Sequence, residues 1–397
     1  MKIRVTHPLA LSGPGGNVLA CIGAVDWREI LWYAALSAGG FFATLWAVYL
    51  VWHLRGRWQI HRAGPRHLVA IRHRVWREPS LADATDLRFG PGGSEGVPVP
   101  PFQFVEEHLT GSQPCVGVRD ARGRLWRVKW GHEAKPEAFA VRVAAACGYF
   151  AEVTHYVDAG TITGLKDLAR ARQCLADDGS FRDARFELED RNIRTLFDEH
   201  SWSWDDNPFV GTRQLSGLKI LTMLLSNWDT KDRRDVARGS NTAIFEVPSR
   251  WGKEARYLIT DWGGAMGRWG SNIVSRDRWD PAGFEAQTPH FVTGVSNGFV
   301  NFGYQGQRTA EIARGVTIEH AAWFYRHAHR IKEPAFRQAL LACGATREEA
   351  DVFARSLVER IRQIGAASGL ASPGSIRDGD ASLAEAEMSH PRRRGTA

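Results

Sequence analysis

Three charged side chains stand where apolar stretches of the chain end, and all three are of types that bind phosphate or metal. Lys129 lies in WRVKW, Asp229 follows the apolar run LKILTMLLSN, and Asp261 follows YLIT and precedes two glycines. Phosphoryl transfer from ATP needs a cation on the phosphates, carboxylates that hold Mg²⁺, and a carboxylate that orients the attacking hydroxyl. The residue types and their order along the chain therefore predict a site for this chemistry.

The hydrophobic pattern predicts the elements that position these residues. Up to about residue 160 it predicts strands and one helix, at 115–119, 125–130, 151–157 and 135–147. From about 163 it is mainly helical, with one strand pair, and its elements are predicted at 214–227, 242–247, 256–261, 318–330, 334–343 and 346–364. Glu137, in the first turn of its helix, is expected to hold Lys129 through an ion pair.

The three motifs, taken in order, resemble the atypical bacterial kinase-like proteins related to HipA-type kinases and, more distantly, phosphatidylinositol kinases. Three segments carry the resemblance over roughly residues 105–365: VKWGHEAKPEAFAVRVAAACGYF, LKILTMLLSNWDTKDRRD and YLITDWGGAMG. The resemblance implies an α+β, bilobal protein-kinase-like fold, with a small β-rich N-lobe at 101–160 and a mainly helical C-lobe at 161–366. It also implies ATP and Mg²⁺ as cofactors.

The resemblance assigns roles to individual residues of the site. Asp229 stands for the catalytic-loop aspartate, Lys231 follows it two places on, and Asp261 is the Mg²⁺ ligand. Gly111 and Ser112 belong to the loop TGSQP, which would lie over the phosphates.

The second metal ligand departs from the family's pattern. An asparagine is expected about five or six residues after Asp229, but Arg234 and Asp235 stand there. Asp235, or the more distant Asn241, would then be the second ligand.

Two further departures concern the phosphate-binding side. The loop around Gly111 is short and is not a GxGxxG motif. Glu137 follows Lys129 by only eight residues, so Glu133 and Glu152 are alternative partners for the lysine.

A long apolar segment precedes the kinase-like region. Residues 30–52 contain no charged side chain and, at about 1.5 Å per residue, are long enough to cross a ~30 Å hydrocarbon core. Arginines and histidines follow before the first acid, Glu78, so the positive-inside rule puts the N-terminus outside. The sequence thus predicts a single-pass protein of the inner (cytoplasmic) membrane, with a cytoplasmic C-terminal domain and the lipid bilayer as a partner.

Composition predicts the remaining boundaries. A short N-terminal segment covers 1–29, a basic juxtamembrane segment and linker covers 53–100, and a disordered tail covers 367–397. Much of the net charge of +7 lies beside the apolar segment, which disfavours a nucleic-acid partner. The five scattered cysteines form no CxxC pair, which argues against a zinc site or a disulfide framework.

Two hypotheses follow for the function. The first is a membrane-anchored, kinase-like phosphotransferase that uses Mg·ATP on the cytoplasmic side, with an unidentified protein or small-molecule phosphoacceptor. The second is a catalytically inactive kinase-fold scaffold or nucleotide-binding protein at the membrane. Both require Lys129, Asp229 and Asp261 to converge on one cleft.

Overall fold

The computed structural model describes residues 31–32, 35–37, 39–51, 72–111, 113–190, 193–196, 201–229, 241–250, 252–270, 272, 274–307 and 309–370. The chain divides into two compact units, Met1–Arg55 and Gly56–Ala397. The predicted segment 1–29 and residues 371–397 of the predicted tail lie outside the described ranges.

The membrane-spanning helix predicted over 30–52 is wrong. Within the described ranges, no helix is both long enough and apolar enough to cross a bilayer. The predicted single-pass location in the inner membrane depended on this helix and is wrong with it.

The second unit is α+β. Its first elements are β1 (Arg72–Arg74), α1 (Leu81–Thr85), β2 (Phe102–His108), β3 (Cys115–Arg119), β4 (Leu125–Trp130), α2 (Ala134–Ala146), β5 (Thr154–Thr163) and β6 (Ser180–Glu189). The later elements are β7 (Arg194–Leu196), α3 (Arg213–Leu224), β8 (Thr242–Ser249), β9 (Gly252–Ile259), α4 (Pro281–Gln287), β10 (Val292–Ser296), β11 (Phe299–Phe302), α5 (Thr309–Ala313), α6 (Ile318–Ala328), α7 (Glu333–Ala342) and α8 (Arg347–Ala367). Short 3₁₀ turns cover Ser94–Gly96, Ala171–Cys174 and Thr288–His290.

Strands β2 to β6 form a closed barrel in the order β2-β3-β4-β6-β5. Successive side chains of a strand point to opposite faces, so alternate apolar residues fill the barrel interior, among them Val116, Val128 and Phe186. A short parallel pairing of β2 with β5 closes the barrel. Arg127 and Lys129 of β4, and Arg185, Glu187 and Glu189 of β6, occupy the alternate positions and face away from this interior.

A second sheet has the order β1-β9-β8-β7, and it carries the chain to Asp261. Strands β8 and β9 form an antiparallel hairpin, and β1 pairs in parallel with β9. Ile244, Tyr257 and Ile259 are buried in the larger hydrophobic core, which holds the end of β9 in place.

The larger core lies among the helices. Helix α3 begins after Thr212, whose side chain accepts a hydrogen bond from the Leu215 N–H, and its apolar residues are buried in this core. The helix ends in a turn at Ser226, whose φ is +55°, and Asp229 follows three residues later. Helix α2 contributes to the same core, so the helix that carries Glu137 is anchored there.

The predicted elements differ from the observed ones between residues 160 and 196, and strand β2, helix α4 and the β10–β11 hairpin were not predicted either. The predicted N-lobe ended at 160, but β5 continues to Thr163 and β6 completes the barrel. The described residues between 164 and 196 were expected to be mainly helical, but most of them form strands or turns. Within the predicted linker 53–100, Ser80 and Asp83 form a capping box that starts helix α1.

Candidate active site

Lys129 lies on the outer face of β4, beside the charged residues of β6. Its register partner across the β4–β6 ladder is Arg185. The Lys129 Nζ lies 3.5 Å from Oε2 of Glu187, and 29% of its side chain is exposed. The structure therefore pairs this lysine with Glu187, and not with Glu137, Glu133 or Glu152.

Glu137 is buried and bonded to a different cation. Its Oε2 forms an ion pair with Nη1 of Arg185 at 2.8 Å and accepts from the backbone N–H of Trp262 at 3.0 Å. Burial raises the pKa of the Glu137 carboxyl to about 8, while the charge of Arg185 opposes the rise. Glu137 thus joins helix α2 to both the barrel and the loop after β9.

Asp261 leaves β9 in a turn that two glycines allow. Its Oδ1 accepts from the Gly263 N–H at 2.9 Å. A Cβ added at Gly263 would stand 2.8 Å from the Glu133 side chain, and one at Gly264 would stand 2.9 Å from the Asp229 Cβ. Glycine at both positions lets the Asp261 loop pass between helix α2 and the Asp229 loop.

Asn241 links the two aspartates. Its side-chain amide donates to the Asp229 carbonyl at 2.6 Å. Its own carbonyl accepts from the N–H groups of Thr260 at 2.9 Å and Asp261 at 3.4 Å. The Asp229 carboxylate also accepts from Nε2 of Gln307 at 3.0 Å. Asp229, Asn241 and Asp261 therefore lie together, as their predicted metal and catalytic roles require.

The loop around Gly111 lies beside the end of β4. Gly111 has a φ of +94°, which favours glycine, and its carbonyl accepts from Nη1 of Arg170 at 2.9 Å. The Gln113 side chain comes so close to Gly131 that an added Cβ would stand 2.9 Å away. Gly131 follows Lys129 by two residues, so the loop is close to the lysine.

Three of the predicted site residues lie outside the described ranges. They are Ser112 in the loop over the phosphates, and Lys231 and Asp235 after the catalytic-loop aspartate. Asp235 as a metal ligand therefore stays a prediction, whereas Asn241 is seen beside Asp229.

Sequence reasoning missed two residues of β6 that connect Lys129 with helix α2. Arg185 and Glu187 pair with Glu137 and Lys129, and they alternate along β6 with the buried Ala184 and Phe186. That alternation, with charges at every second position of RFELE, was a usable strand signal.

A buried arginine holds the turn that precedes Asp229. Arg360 of α8 is fully buried, and its Nη1 donates to the Leu224 carbonyl and to Oγ of Ser226 at 2.9 and 2.8 Å. Its guanidinium also lies over the Phe284 ring, 3.5 Å from the centroid. The end of α3 is thus fixed by contacts that no spacing in the sequence indicated.

The residues present fit a magnesium ion that is completed by phosphate oxygens. Within the described ranges, no group of three or more His, Cys, Asp or Glu side chains forms a protein-only metal cage. Mg²⁺ is commonly bound by one or two carboxylates together with substrate phosphates and water, so the Asp261 carboxylate, with Asn241, is a sufficient protein ligand set. The buried Oδ1 of Asn227 has no hydrogen-bond partner among the described residues and lies beside Asp229, as an added Gly264 Cβ would touch both.

A cavity of about 290 Å³ lies between the barrel and the second sheet. Its walls include Arg127 and Leu188 of the barrel, Phe245 and Leu258 of the sheet, and Phe150 and Glu152 of the loop after α2. Arg127 is two residues before Lys129 on the same face of β4, about 7 Å along the strand. The cavity is thus a short distance from the lysine.

Comparison with protein-family models gives no match for this chain, and comparison with curated proteins gives none. The functional interpretation therefore depends on the geometry of the site.

Proposed function

We propose that this protein transfers the γ-phosphoryl group of Mg·ATP to a hydroxyl of an unidentified protein or small molecule. One observation carries the proposal: Asn241 is hydrogen-bonded to the backbone of both the Asp229 and the Asp261 segments, which holds the two aspartate-bearing loops together. In-line phosphoryl transfer needs a carboxylate that orients the hydroxyl and a carboxylate that binds the metal within one site.

Each side chain has one task in this proposal. Lys129 contacts the phosphates, and Glu187 holds the lysine in position from β6. Asp261 and Asn241 bind the metal, and Asp229 accepts a hydrogen bond from the acceptor hydroxyl and orients it. The Gln307 amide fixes the Asp229 carboxylate. When bound, Mg²⁺ neutralises charge on the phosphates.

The nucleotide base is assigned to the cavity of about 290 Å³. Phe245 and Leu258 supply apolar surface for the base, and ligand pockets combine such walls with a few polar groups. A separation of about 7 Å between Arg127 and Lys129 on one strand face leaves room for a sugar between base and phosphates.

The proposal is tested by measuring Mg·ATP binding and phosphate release with the full chain and three variants, Lys129→Met, Asp229→Asn and Asp261→Asn. We expect each variant to lose roughly 100-fold or more in turnover because each removes a charge that acts on the phosphates, metal or hydroxyl. Asp158→Asn is the matched control, since Asp158 is exposed on β5.

Two results would contradict the proposal in different ways. Absence of Mg·ATP binding would exclude a nucleotide-dependent function for this site. Binding without transfer or hydrolysis, unchanged by Asp229→Asn, would favour the inactive nucleotide-binding alternative.

A further inference from the structure

Glu152 places a carboxyl group in the wall of the cavity. It lies in the loop between α2 and β5 and is half-buried. It forms no hydrogen bond or ion pair with any residue in the described part of the chain. The carboxylates of Glu187 and Glu189, in contrast, both contact Arg127, at 2.5 and 3.4 Å.

The position of Glu152 suits contact with a base. Phe245 and Leu258 line the same cavity and offer apolar surface to the faces of a planar ring. A carboxyl group in the wall can then meet the ring's hydrogen-bonding edge, where bases differ from one another. A polar site of this type discriminates strongly because a mismatched ligand leaves its buried groups unpaired.

We infer that Glu152 reads the hydrogen-bonding edge of the nucleotide base and selects between adenine and guanine; the inference rests on the proposed function. A neutral carboxyl group donates its O–H to N1 of adenine and accepts from the 6-amino group. An ionised carboxylate only accepts, so it pairs with N1–H and the 2-amino group of guanine. The protonation state of one side chain therefore sets the preferred nucleotide.

The charged surroundings of Glu152 bring its titration toward neutral pH. Burial, and then the negative charge of Glu187, raise the pKa of Glu152, while Arg127 opposes the rise. The ionisable groups that act on it or share the cavity are Arg127, Glu137, Arg185, Glu187, Glu189, Asp190 and Arg256. Because an acid with a raised pKa stays neutral to a higher pH, adenine is preferred at lower pH and guanine gains as pH rises.

The experiment measures the Kd of Mg·ATP and of Mg·GTP for the full chain between about pH 6.5 and 8.5, and takes their ratio so that phosphate ionisation cancels. We expect the preference for ATP to fall by about tenfold or more over this range, the size of a base-discriminating contact. Glu152→Gln should give a ratio that does not change with pH, since its amide offers one donor and one acceptor and does not ionise. Glu152→Ala should lose the preference.

Glu189→Gln is the matched control, because Glu189 lines the same cavity but contacts Arg127. It should keep the pH-dependent ratio of the wild type. A ratio that is constant with pH, and equal in wild type, Glu152→Gln and Glu152→Ala, would overturn this inference while leaving the proposed function intact. Absence of binding for both nucleotides would overturn the proposed function, and this inference with it.

Discussion

At the scale of single residues, the ion pairs of the site follow the strand ladder. Lys129 and Arg185 face each other on β4 and β6, and Glu187 lies two residues further along the same face. Glu187 is therefore a diagonal neighbour of Lys129, about 7–8 Å away along the ladder, a distance that their long side chains bridge. Glu137 instead meets Arg185 from helix α2. The lysine and the helix are therefore joined through β6.

His155 is a buried histidine whose titration should make the stability of the protein depend on pH. It is 3% exposed on β5, with its ring 6.0 Å from that of Trp126, and burial lowers its pKa to about 3. Below about pH 6.5 the unfolded chain binds a proton that the folded protein does not, so stability is lost as pH falls.

We predict that His155→Phe reduces the slope of unfolding free energy against pH by up to about 1.4 kcal/mol per unit between about pH 6 and 4. Phenylalanine keeps an aromatic ring beside Trp126 and cannot bind a proton. Urea unfolding at several pH values measures the slope, with the exposed His290→Phe as control. Equal slopes in wild type and His155→Phe would contradict the prediction.

The single-residue roles were only partly accessible from the sequence. Asp229, Asp261 and Lys129 were identifiable because each ends an apolar stretch, and the structure brings the two aspartates together through Asn241. The partner of Lys129 was not identifiable, because Glu187 is distant in sequence and reaches the lysine only through the β4–β6 register. Spacing along a chain does not encode such pairings.

At the scale of elements, local periodicity predicted the bounds of short strands correctly. The long apolar run at 30–52 led to a wrong prediction of a membrane helix. Strands β3 and β4 have the predicted bounds because alternation over five or six residues is a strong signal. Strand β6 was not predicted, although RFELE alternates charged with apolar residues, because the pattern beyond residue 163 was interpreted as mainly helical. Length and hydropathy alone favoured a membrane helix over 30–52, but no helix among the described residues is long and apolar enough to cross a membrane.

The Asp261 and Asp229 loops approach each other closely at Gly264. A substitution at Gly264 tests whether the activity needs this close approach. An added Cβ would stand 2.9 Å from the Asp229 Cβ and from Oδ1 of Asn227, so the loops must separate. We predict that Gly264→Ala lowers turnover roughly 10- to 100-fold, because displacements of about 1 Å have large effects on aligned reacting groups.

The measurement is steady-state phosphate release, with circular dichroism to verify folding. Gly117→Ala on β3 is the control, since its added Cβ would meet no atom closer than 3.4 Å. Full activity in Gly264→Ala would mean that the distance between the two loops is not set by this contact.

At the scale of the whole second unit, two hydrophobic cores flank the site. One fills the barrel and includes Trp126 and Phe186, and the other joins α2 to the helices and to β9. Lys129 belongs to a strand of the first, whereas Asp261 follows a strand of the second. A nucleotide that contacts both residues therefore stabilises the arrangement of the two cores.

We predict that Mg·ATP at about 100 times its Kd raises the free energy of unfolding by about 2.7 kcal/mol. Thermal or urea unfolding with and without Mg·ATP measures this gain. Asp261→Asn at the same concentrations should show little of it, because the metal loses a ligand. Equal stabilisation of wild type and Asp261→Asn would place nucleotide binding elsewhere on the protein.

Closure of the barrel also limits aggregation. An open sheet would present β2 and β5 as rows of unpaired N–H and C=O groups, which promote strand pairing between molecules. In the described structure the two strands meet through Phe102 with Ile162 and Gln103 with Thr163. Resistance to intermolecular strand pairing thus depends on a contact of two residue pairs.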